Sequence, residues 1–186
     1  YPIQISSGCI YSGGIDHAFT EEDVPNFHGS FYSRMRIALQ EALSELPVLC
    51  VRIRMPISYI SHPRNTINKI ISFSKVISVP NSVTLIEDLY PALLRLIDIK
   101  YTGILNLTNE VFITYGDILD AYKKVIDPNH KYELITPEEL ERGITKTGRS
   151  NCLLSMDKAK SLGINMPPLD EARLAEIMHS LKKTLK

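Results

Sequence analysis

The feature that most constrains the fold is an alternation of short apolar runs with longer stretches of helical periodicity. The helical pattern is clearest at residues 86–97, where apolar side chains recur three and four residues apart. Short strands are predicted on either side of this helix, at residues 48–55 and 103–108. Strands that alternate with helices in this way predict an α/β protein in which helices cover the faces of a sheet.

The strand predicted at residues 48–55 carries two arginines on one face. Because successive side chains of a strand point to opposite faces, Arg52 and Arg54 share their face with Cys50. A strand that is buried on both faces is normally apolar throughout. We therefore expect the two arginines to have polar partners or to reach solvent.

Composition argues against several classes of function. The 186 residues suffice for one domain with a core, and the net charge of zero gives no reason to expect nucleic acid or an anionic membrane as a partner. No apolar run approaches the roughly 20 residues of a membrane span. The three cysteines are widely spaced and the five histidines are scattered, so neither a disulfide framework nor a metal site is predicted. No signal peptide opens the chain, and we expect a cytoplasmic protein.

A tyrosine and an arginine form the most informative local pattern. Tyr32 and Arg36 lie four residues apart at the start of an apolar-periodic run, which places them on one face of a helix. A cation held beside a phenol stabilises the phenolate, so such a Tyr can exchange a proton near neutral pH. Ser7 lies at the carboxyl end of the first predicted strand, where open α/β sheets bind ligands. Taken alone, the Tyr–Arg spacing is more often a simple contact on a helix face.

An ordered series of segments resembles the extended short-chain dehydrogenase/reductase family and, within it, the nucleotide-rhamnose synthases. The series opens with Ser-Ser-Gly-Cys-Ile-Tyr and continues with Asn-Phe-His-Gly-Ser-Phe-Tyr-Ser-x-x-Arg and Val-Arg-Ile-Arg-Met-Pro-Ile-Ser. It covers nearly the whole chain, with matching segments at residues 6–11, 21–36, 51–58, 62–70, 80–89, 102–109 and 149–151.

The resemblance implies a fold and an activity. The expected fold is the C-terminal part of a Rossmann-type doubly wound parallel sheet, with a smaller mixed substrate-binding lobe. Residues 1–60 would form the C-terminal half of the dinucleotide-binding domain, and residues 61–186 mainly the lobe, with some segments returning to the sheet. The expected reaction is NADPH-dependent reduction of the 4-keto group of a nucleotide-linked 4-keto-6-deoxyhexose, giving nucleotide-rhamnose. NADH is the alternative cofactor, UDP and dTDP both stay open as the nucleotide, and a homodimer is expected.

The resemblance also implies roles for residues at the reacting centre. Tyr32 matches the proton donor of the family, and Ser7, with Gly8 beside it, matches the group that binds the substrate carbonyl. Arg36 stands where relatives bind the nicotinamide ribose and favour the ionised Tyr. Ser7, Tyr32 and Arg36 are the expected catalytic set, and Ser7 and Gly8 are expected to bind substrate. Tyr32 and Arg36 are also expected to contact the cofactor.

Further roles are implied for residues outside the reacting centre. Met55 and Pro56 fall where relatives line the nicotinamide pocket. Asn65, Lys69 and Arg149 fall where relatives hold the sugar nucleotide, and a cation suits a pyrophosphate. The alternative for Lys69 and Arg149 is a solvated surface charge.

Two departures from the family leave alternatives open. The family has Lys where this chain has Arg36, and an Arg keeps the charge without being a proton relay. The Gly-rich dinucleotide loop of the family does not occur in this sequence, and the resemblance implies an N-terminal half ahead of Tyr1. A non-catalytic binding or regulatory subunit on the same fold is therefore an alternative, as is a nucleotide-sugar epimerase. A dehydratase is disfavoured, because the strand end at residues 7–9 offers no carboxylate.

Overall fold

The structure is a computed structural model that describes residues 1–13, 16–143 and 148–185. The strands within these residues are β1 (Ile3–Ser7), β2 (Leu49–Ile53), β3 (Pro56–Ile57), β4 (Lys75–Ile77), β5 (Thr84–Leu85), β6 (Gly103–Asn106) and β7 (Glu133–Ile135). The helices are α1 (Phe31–Leu43), α2 (Thr66–Ile70), α3 (Ile86–Asp98), α4 (Tyr115–Val125), α5 (Pro137–Gly143), α6 (Asp157–Ser161) and α7 (Glu171–Thr184).

The central sheet has three parallel strands in the order β1-β2-β6. Parallel strands need a crossover connection, and α1 follows β1 while α3 lies between β2 and β6. Ser7 is paired with Ile53, so the carboxyl ends of β1 and β2 lie side by side. The prediction of an α/β protein is confirmed, and the sheet brings Ser7 to the edge where such folds bind ligands.

Polar residues fix where the helices begin. The hydroxyl of Ser30 accepts a hydrogen bond from the Ser33 N–H and caps the first turn of α1. Thr114 and Asp117 form a reciprocal capping box at the start of α4. The first turn of α3 has no side-chain cap, but its two acidic residues complement the positive end of the helix dipole. These starts set the direction in which each helix leaves the sheet.

The second strand is shorter than the strand predicted at residues 48–55. The backbone N–H of Arg54 donates to the hydroxyl of Thr84 at 3.1 Å, and not to a carbonyl of a neighbouring sheet strand. Met55 then adopts a φ of 40°, which is uncommon for a residue with a side chain. The chain therefore turns out of the sheet two residues after β2 ends.

Both arginines of this segment are buried, and both have polar partners. Arg52 is fully buried; its Nε donates to Oε1 of Gln40 at 2.8 Å. Its guanidinium also lies 5.3 Å from the centre of the Tyr11 ring. The partners of Arg54 are described with the functional site. We expected the two arginines either to have polar partners or to reach solvent, and the structure shows that they have polar partners.

Two main hydrophobic cores support the sheet and its extensions. One packs α3 and α6 against β2 and β6, with Leu49, Val51, Leu89, Leu96, Leu105 and Ala159 among its members. The other joins α4 and α7 to the short strands, with Ile57, Val76, Leu85, Ile118, Leu119, Ile177 and Leu181 among its members. The parallel pairs β3–β5 and β4–β7 border this second core. Strands of two or three residues show no period of two, so the sequence did not predict β3, β5 or β7.

None of the helices in the described ranges has the length and apolar content that a membrane span requires.

Candidate functional site

A cavity of about 450 Å³ opens at the carboxyl ends of β1 and β2. This volume is within the usual range for sites that bind small molecules. The cavity contains most of the residues expected from the sequence to be functional: Ser7, Tyr32, Arg36, Met55, Pro56, Lys69 and Arg149. Residues separated by more than a hundred positions in the chain are therefore brought to one place.

Contacts between the end of β1 and the start of α1 hold together the part of the cavity that Ser7 and Tyr32 line. The backbone N–H of Cys9 donates to the hydroxyl of Ser7 at 3.1 Å, which fixes a tight turn after the strand. The hydroxyl of Ser33, on α1, donates to the carbonyl oxygen of Cys9 at 2.7 Å. Because Ser33 follows Tyr32 directly, this bond sets the position of the Tyr relative to Ser7.

The expected pairing of Tyr32 with Arg36 is present on the first turns of α1. The Arg36 guanidinium carbon lies 5.0 Å from the centre of the Tyr32 ring, in a cation–π contact. Nη1 of Arg36 also donates to the carbonyl oxygen of Ile5, on β1, at 3.1 Å. The guanidinium therefore bridges the helix and the strand and holds a positive charge beside the phenol.

The turn after β2 forms another part of the cavity wall. Met55 and Pro56 both line the cavity. Met55 directly precedes β3 and has a left-handed backbone conformation. A strained residue beside a binding cavity is a common feature of functional sites. The two residues lie where a wall of the nicotinamide pocket is expected, and that role stays a prediction.

Cations from two separate segments contribute to the cavity. Lys69 comes from the short helix α2, and Arg149 comes from the loop that precedes α6. Nη2 of Arg149 donates to the Tyr115 hydroxyl at 2.9 Å, and its guanidinium carbon lies 5.6 Å from the centre of that ring. Arg149 is thus a partly buried cation held by an aromatic partner. Lys69 is exposed, which is also consistent with the alternative that it is a solvated surface charge.

Two residues expected to bind substrate lie outside this cavity lining. The side chain of Asn65 caps α2 by accepting from the Ile67 N–H, and its amide donates to the carbonyl oxygens of Ser58 and Ile60. Its polar atoms thus stabilise the loop before α2. Gly8 is buried behind the lining, where an added Cβ would lie 2.8 Å from a Leu154 methyl carbon. Both residues thus support the site from outside the cavity lining, and their assignment to substrate binding stays a prediction.

The sequence did not assign a role in the cavity to two residues that contribute to it. Arg54, at the end of β2, lines the cavity and is only 4% exposed. Tyr115, the first residue of α4, holds Arg149. The sequence marked Arg54 as unusual only because it is one of two arginines in an otherwise apolar strand. No local pattern marks Tyr115, because its partner is 34 residues away.

Two buried cysteines lie outside the lining of this cavity. Burial raises the pKa of the Cys50 and Cys152 thiols, so both favour the protonated form. Within residues 1–13, 16–143 and 148–185, no three His, Cys, Asp or Glu side chains cluster in a way that could hold a metal ion.

Comparison with known proteins identifies the relatives of this chain. No protein-family model matches the sequence. A bifunctional dTDP-4-dehydrorhamnose 3,5-epimerase/dTDP-4-dehydrorhamnose reductase of Arabidopsis thaliana is 35% identical over 190 residues, which cover 98% of this chain and 63% of the relative. The crystal structure of the L780 UDP-rhamnose synthase from Acanthamoeba polyphaga mimivirus matches with a TM-score of 0.87 at 33% identity, over 96% of this chain and 64% of that one. This chain is a homologue of the nucleotide-rhamnose synthases.

The homology extends along nearly the whole chain, but this chain spans less than two thirds of the length of these relatives. A dTDP-4-dehydrorhamnose reductase from Bacillus anthracis, solved in complex with NADP, matches with a TM-score of 0.75 at 16% identity over 94% of this chain. At that identity the likeness shows the fold, which is of the Rossmann type. The resemblance to nucleotide-rhamnose synthases read from the sequence is confirmed, and the roles of individual residues stay predictions.

Proposed function

We propose that the full-length protein containing this chain reduces the 4-keto group of a nucleotide-linked 4-keto-6-deoxyhexose to give nucleotide-rhamnose. The observation that carries the proposal is the cavity at the sheet edge, which combines Ser7, Tyr32 and Arg36 with Arg149. The homology supports it, because the relatives are named as rhamnose synthases and dehydrorhamnose reductases. In this proposal the chain corresponds to the C-terminal portion of such an enzyme.

Each residue at the reacting end has a defined task. The Ser7 hydroxyl donates a hydrogen bond to the carbonyl oxygen at C4 and fixes its direction. A nicotinamide cofactor, when bound beside Tyr32, would supply a hydride to C4. Tyr32 donates its hydroxyl proton to the oxygen as the alcohol forms, because an alkoxide at C4 is far too basic to persist. Arg36 stabilises the phenolate that remains, by its positive charge 5.0 Å from the ring centre.

The nucleotide end of the substrate is assigned to the cations. Arg149 presents a planar guanidinium that suits two oxygens of a diphosphate, and Lys69 adds a second positive charge to the cavity. Both UDP and dTDP carry this diphosphate, and the residues assigned here contact the group that the two share.

The cofactor assigned to the cavity is NADPH, with NADH as the alternative. Met55 and Pro56 line the cavity near Tyr32, and they would form one wall of the nicotinamide pocket. The sequence contains no Gly-x-Gly-x-x-Gly motif, which is the usual binding site for the pyrophosphate of a dinucleotide. Met55 and Pro56 are therefore assigned to the nicotinamide and not to the pyrophosphate. Residues 1–60 are accordingly proposed as half of a dinucleotide-binding domain, and residues 61–186 as mainly the substrate-binding lobe.

An assay with the purified full-length protein tests the proposal. UDP- and dTDP-linked 4-keto-6-deoxyhexoses are offered separately with NADPH or NADH, oxidation of the cofactor is followed by absorbance, and the sugar product is identified by mass spectrometry and NMR. The expected result is oxidation that depends on the keto sugar and yields nucleotide-rhamnose in equal amount. No oxidation with any of the four combinations contradicts the proposal.

Arg36 favours a second candidate function, a binding or regulatory subunit on the same fold. The Lys of the family is replaced by an Arg that is engaged with the Ile5 carbonyl oxygen. A protein with a disabled site would bind the nucleotide sugar without oxidising NADPH, so the same assay combined with a binding measurement separates the two candidates. A third outcome, epimerisation without reduction, is detected by exchange of solvent deuterium into the sugar.

Location and assembly follow as lesser proposals. Cys9, Cys50 and Cys152 are unpaired, which suits the reducing environment of the cytoplasm. A homodimer would cover exposed apolar side chains such as Phe31 on α1 and Leu94 on α3.

A further inference from the structure

Arg54 is a buried arginine whose role the proposed reaction does not explain. It follows the last residue of β2 and lines the cavity, yet only 4% of its surface is exposed. Burying a guanidinium is costly unless hydrogen bonds replace the lost water. The partners that supply those bonds show what the residue does.

The guanidinium of Arg54 contacts three separate segments of the chain. Nη1 donates to Sγ of Cys9 at 2.7 Å, and Nη2 donates to Oδ1 of Asn81 at 2.7 Å. Nη2 also donates to the carbonyl oxygen of Ser150. One rigid planar group therefore links the turn after β1, the segment before β5 and the loop before α6 to the end of β2.

These contacts lie next to both ends of the proposed site. The N–H of Cys9 bonds to the hydroxyl of Ser7, which is proposed to bind the substrate carbonyl. Ser150 directly follows Arg149, which is proposed to bind the diphosphate. Arg54 thus reaches each of these two residues through one intermediate residue, Cys9 for Ser7 and Ser150 for Arg149.

Other hydrogen bonds also hold these two segments in place. The hydroxyl of Ser150 donates to the carbonyl oxygen of Tyr11 at 2.5 Å, and the N–H of Gly13 donates to the carbonyl oxygen of Asn151 at 2.9 Å. A backbone hydrogen bond of 2.9 Å joins the turn after β1 to the last residue of β2. The side chain of Arg54 adds an attachment of the loop before α6 to the end of that strand.

We propose that Arg54 is a positioning residue that fixes the turn after Ser7 and the loop carrying Arg149 relative to each other and to the end of β2. The proposal rests on the function proposed above and adds a determinant of substrate binding to it. A guanidinium is needed because its planar fork reaches several acceptors at once, whereas an ammonium is a single point.

The test compares Arg54→Lys and Arg54→Met in the full-length protein with Arg95→Lys and Arg95→Met. Arg95 is an exposed arginine on α3 and serves as the matched control. UDP and dTDP binding is measured by calorimetry, turnover by NADPH oxidation, and backbone opening by hydrogen exchange, all well below the melting temperature of each variant. We expect about a tenfold loss of nucleotide affinity in both Arg54 variants, as for loss of a well-placed charged hydrogen bond. Amide exchange should accelerate together at residues 8–13 and 150–152.

A double-mutant cycle with Arg149→Met separates positioning from a general loss of stability. If Arg54 acts on nucleotide affinity through Arg149, adding Arg54→Lys to Arg149→Met causes less than a twofold further loss. A merely structural role predicts losses that add, together with a lower melting temperature. Additive losses, or exchange rates at the two segments that stay within twofold of the parent, overturn the proposal.

The outcomes also distinguish this proposal from the proposed function. A parent protein that neither binds UDP or dTDP nor reduces the keto sugar contradicts the proposed function. Hydrogen exchange in Arg54→Lys then still decides whether Arg54 fixes the two segments, because that measurement needs no ligand. Should Arg54→Met fail to fold, Arg54→Lys retains the charge and carries the test.

Discussion

The two ends of the cavity, which are the proposed reacting end and the proposed nucleotide end, are built differently. At the reacting end, Ser7 and Tyr32 belong to β1 and α1, which are held together by the Ser33 hydroxyl. At the nucleotide end, Lys69 belongs to a helix of five residues and Arg149 to a loop. The reacting end thus has regular elements with near-neighbour contacts, while the nucleotide end depends on contacts between distant segments.

The difference indicates how each end contributes to function. Proton transfer needs groups that are fixed within tenths of an ångström, and regular elements with locked side chains provide this. A diphosphate is a large, doubly charged group that tolerates looser placement. Substitutions at the reacting end should therefore lower turnover, and those at the nucleotide end should lower affinity.

Ser7→Ala tests the proposed reacting end. Among the variants that keep Tyr32, it has the largest expected effect. We expect kcat to fall about 100-fold while UDP affinity changes less than twofold, because one donor to the carbonyl oxygen is removed. Steady-state kinetics and calorimetry measure the two quantities. Ser161→Ala, on α6 and exposed, is the control and should match the parent. A fall in affinity with unchanged kcat would contradict the assignment of Ser7.

Arg149→Met tests the nucleotide end. The expected result is a rise of about tenfold in KM and in the Kd for UDP, with kcat nearly unchanged, because a charged hydrogen-bonding group is lost from binding alone. Arg142→Met, an exposed position on α5, is the control. Equal affinity in parent and variant would support the alternative of a solvated charge.

Arg36→Lys has the smallest expected effect and addresses the departure from the family. An ammonium cannot both stack on Tyr32 and reach the Ile5 carbonyl oxygen as the planar guanidinium does, so we expect kcat/KM to fall about fourfold. Arg34→Lys is the control, because Arg34 lies on the same helix and also donates to a backbone carbonyl oxygen. A gain of activity in Arg36→Lys would instead favour a disabled site and a binding subunit.

The same comparison explains what could be predicted from the sequence. Tyr32 and Arg36 were predicted to interact because a helical spacing of four residues defines a contact without tertiary knowledge. Ser7 was placed correctly at a strand end, since short apolar runs reveal parallel strands when helices alternate with them. The fold class followed from the same periodicity.

The rest of the cavity depends on contacts that no local pattern encodes. Tyr115 meets Arg149 only because α4 and a loop 34 residues later come together. The amide of Asn65 is occupied by the loop at residues 58–60, which the motif series could not show. Arg54 was noticed as unusual in a strand, but its three partners come from segments that lie far apart in the chain.

The most direct test of the account is Tyr32→Phe in the full-length protein, with Tyr90→Phe on the exposed face of α3 as the control. Hydride transfer to the keto sugar is measured in a single turnover, and UDP affinity is measured on the same preparations. We expect the transfer rate to fall about 1,000-fold with affinity unchanged, since the proposed proton donor is lost and the proposed nucleotide end is intact. Reduction by Tyr32→Phe at the rate of the parent would contradict the central claim.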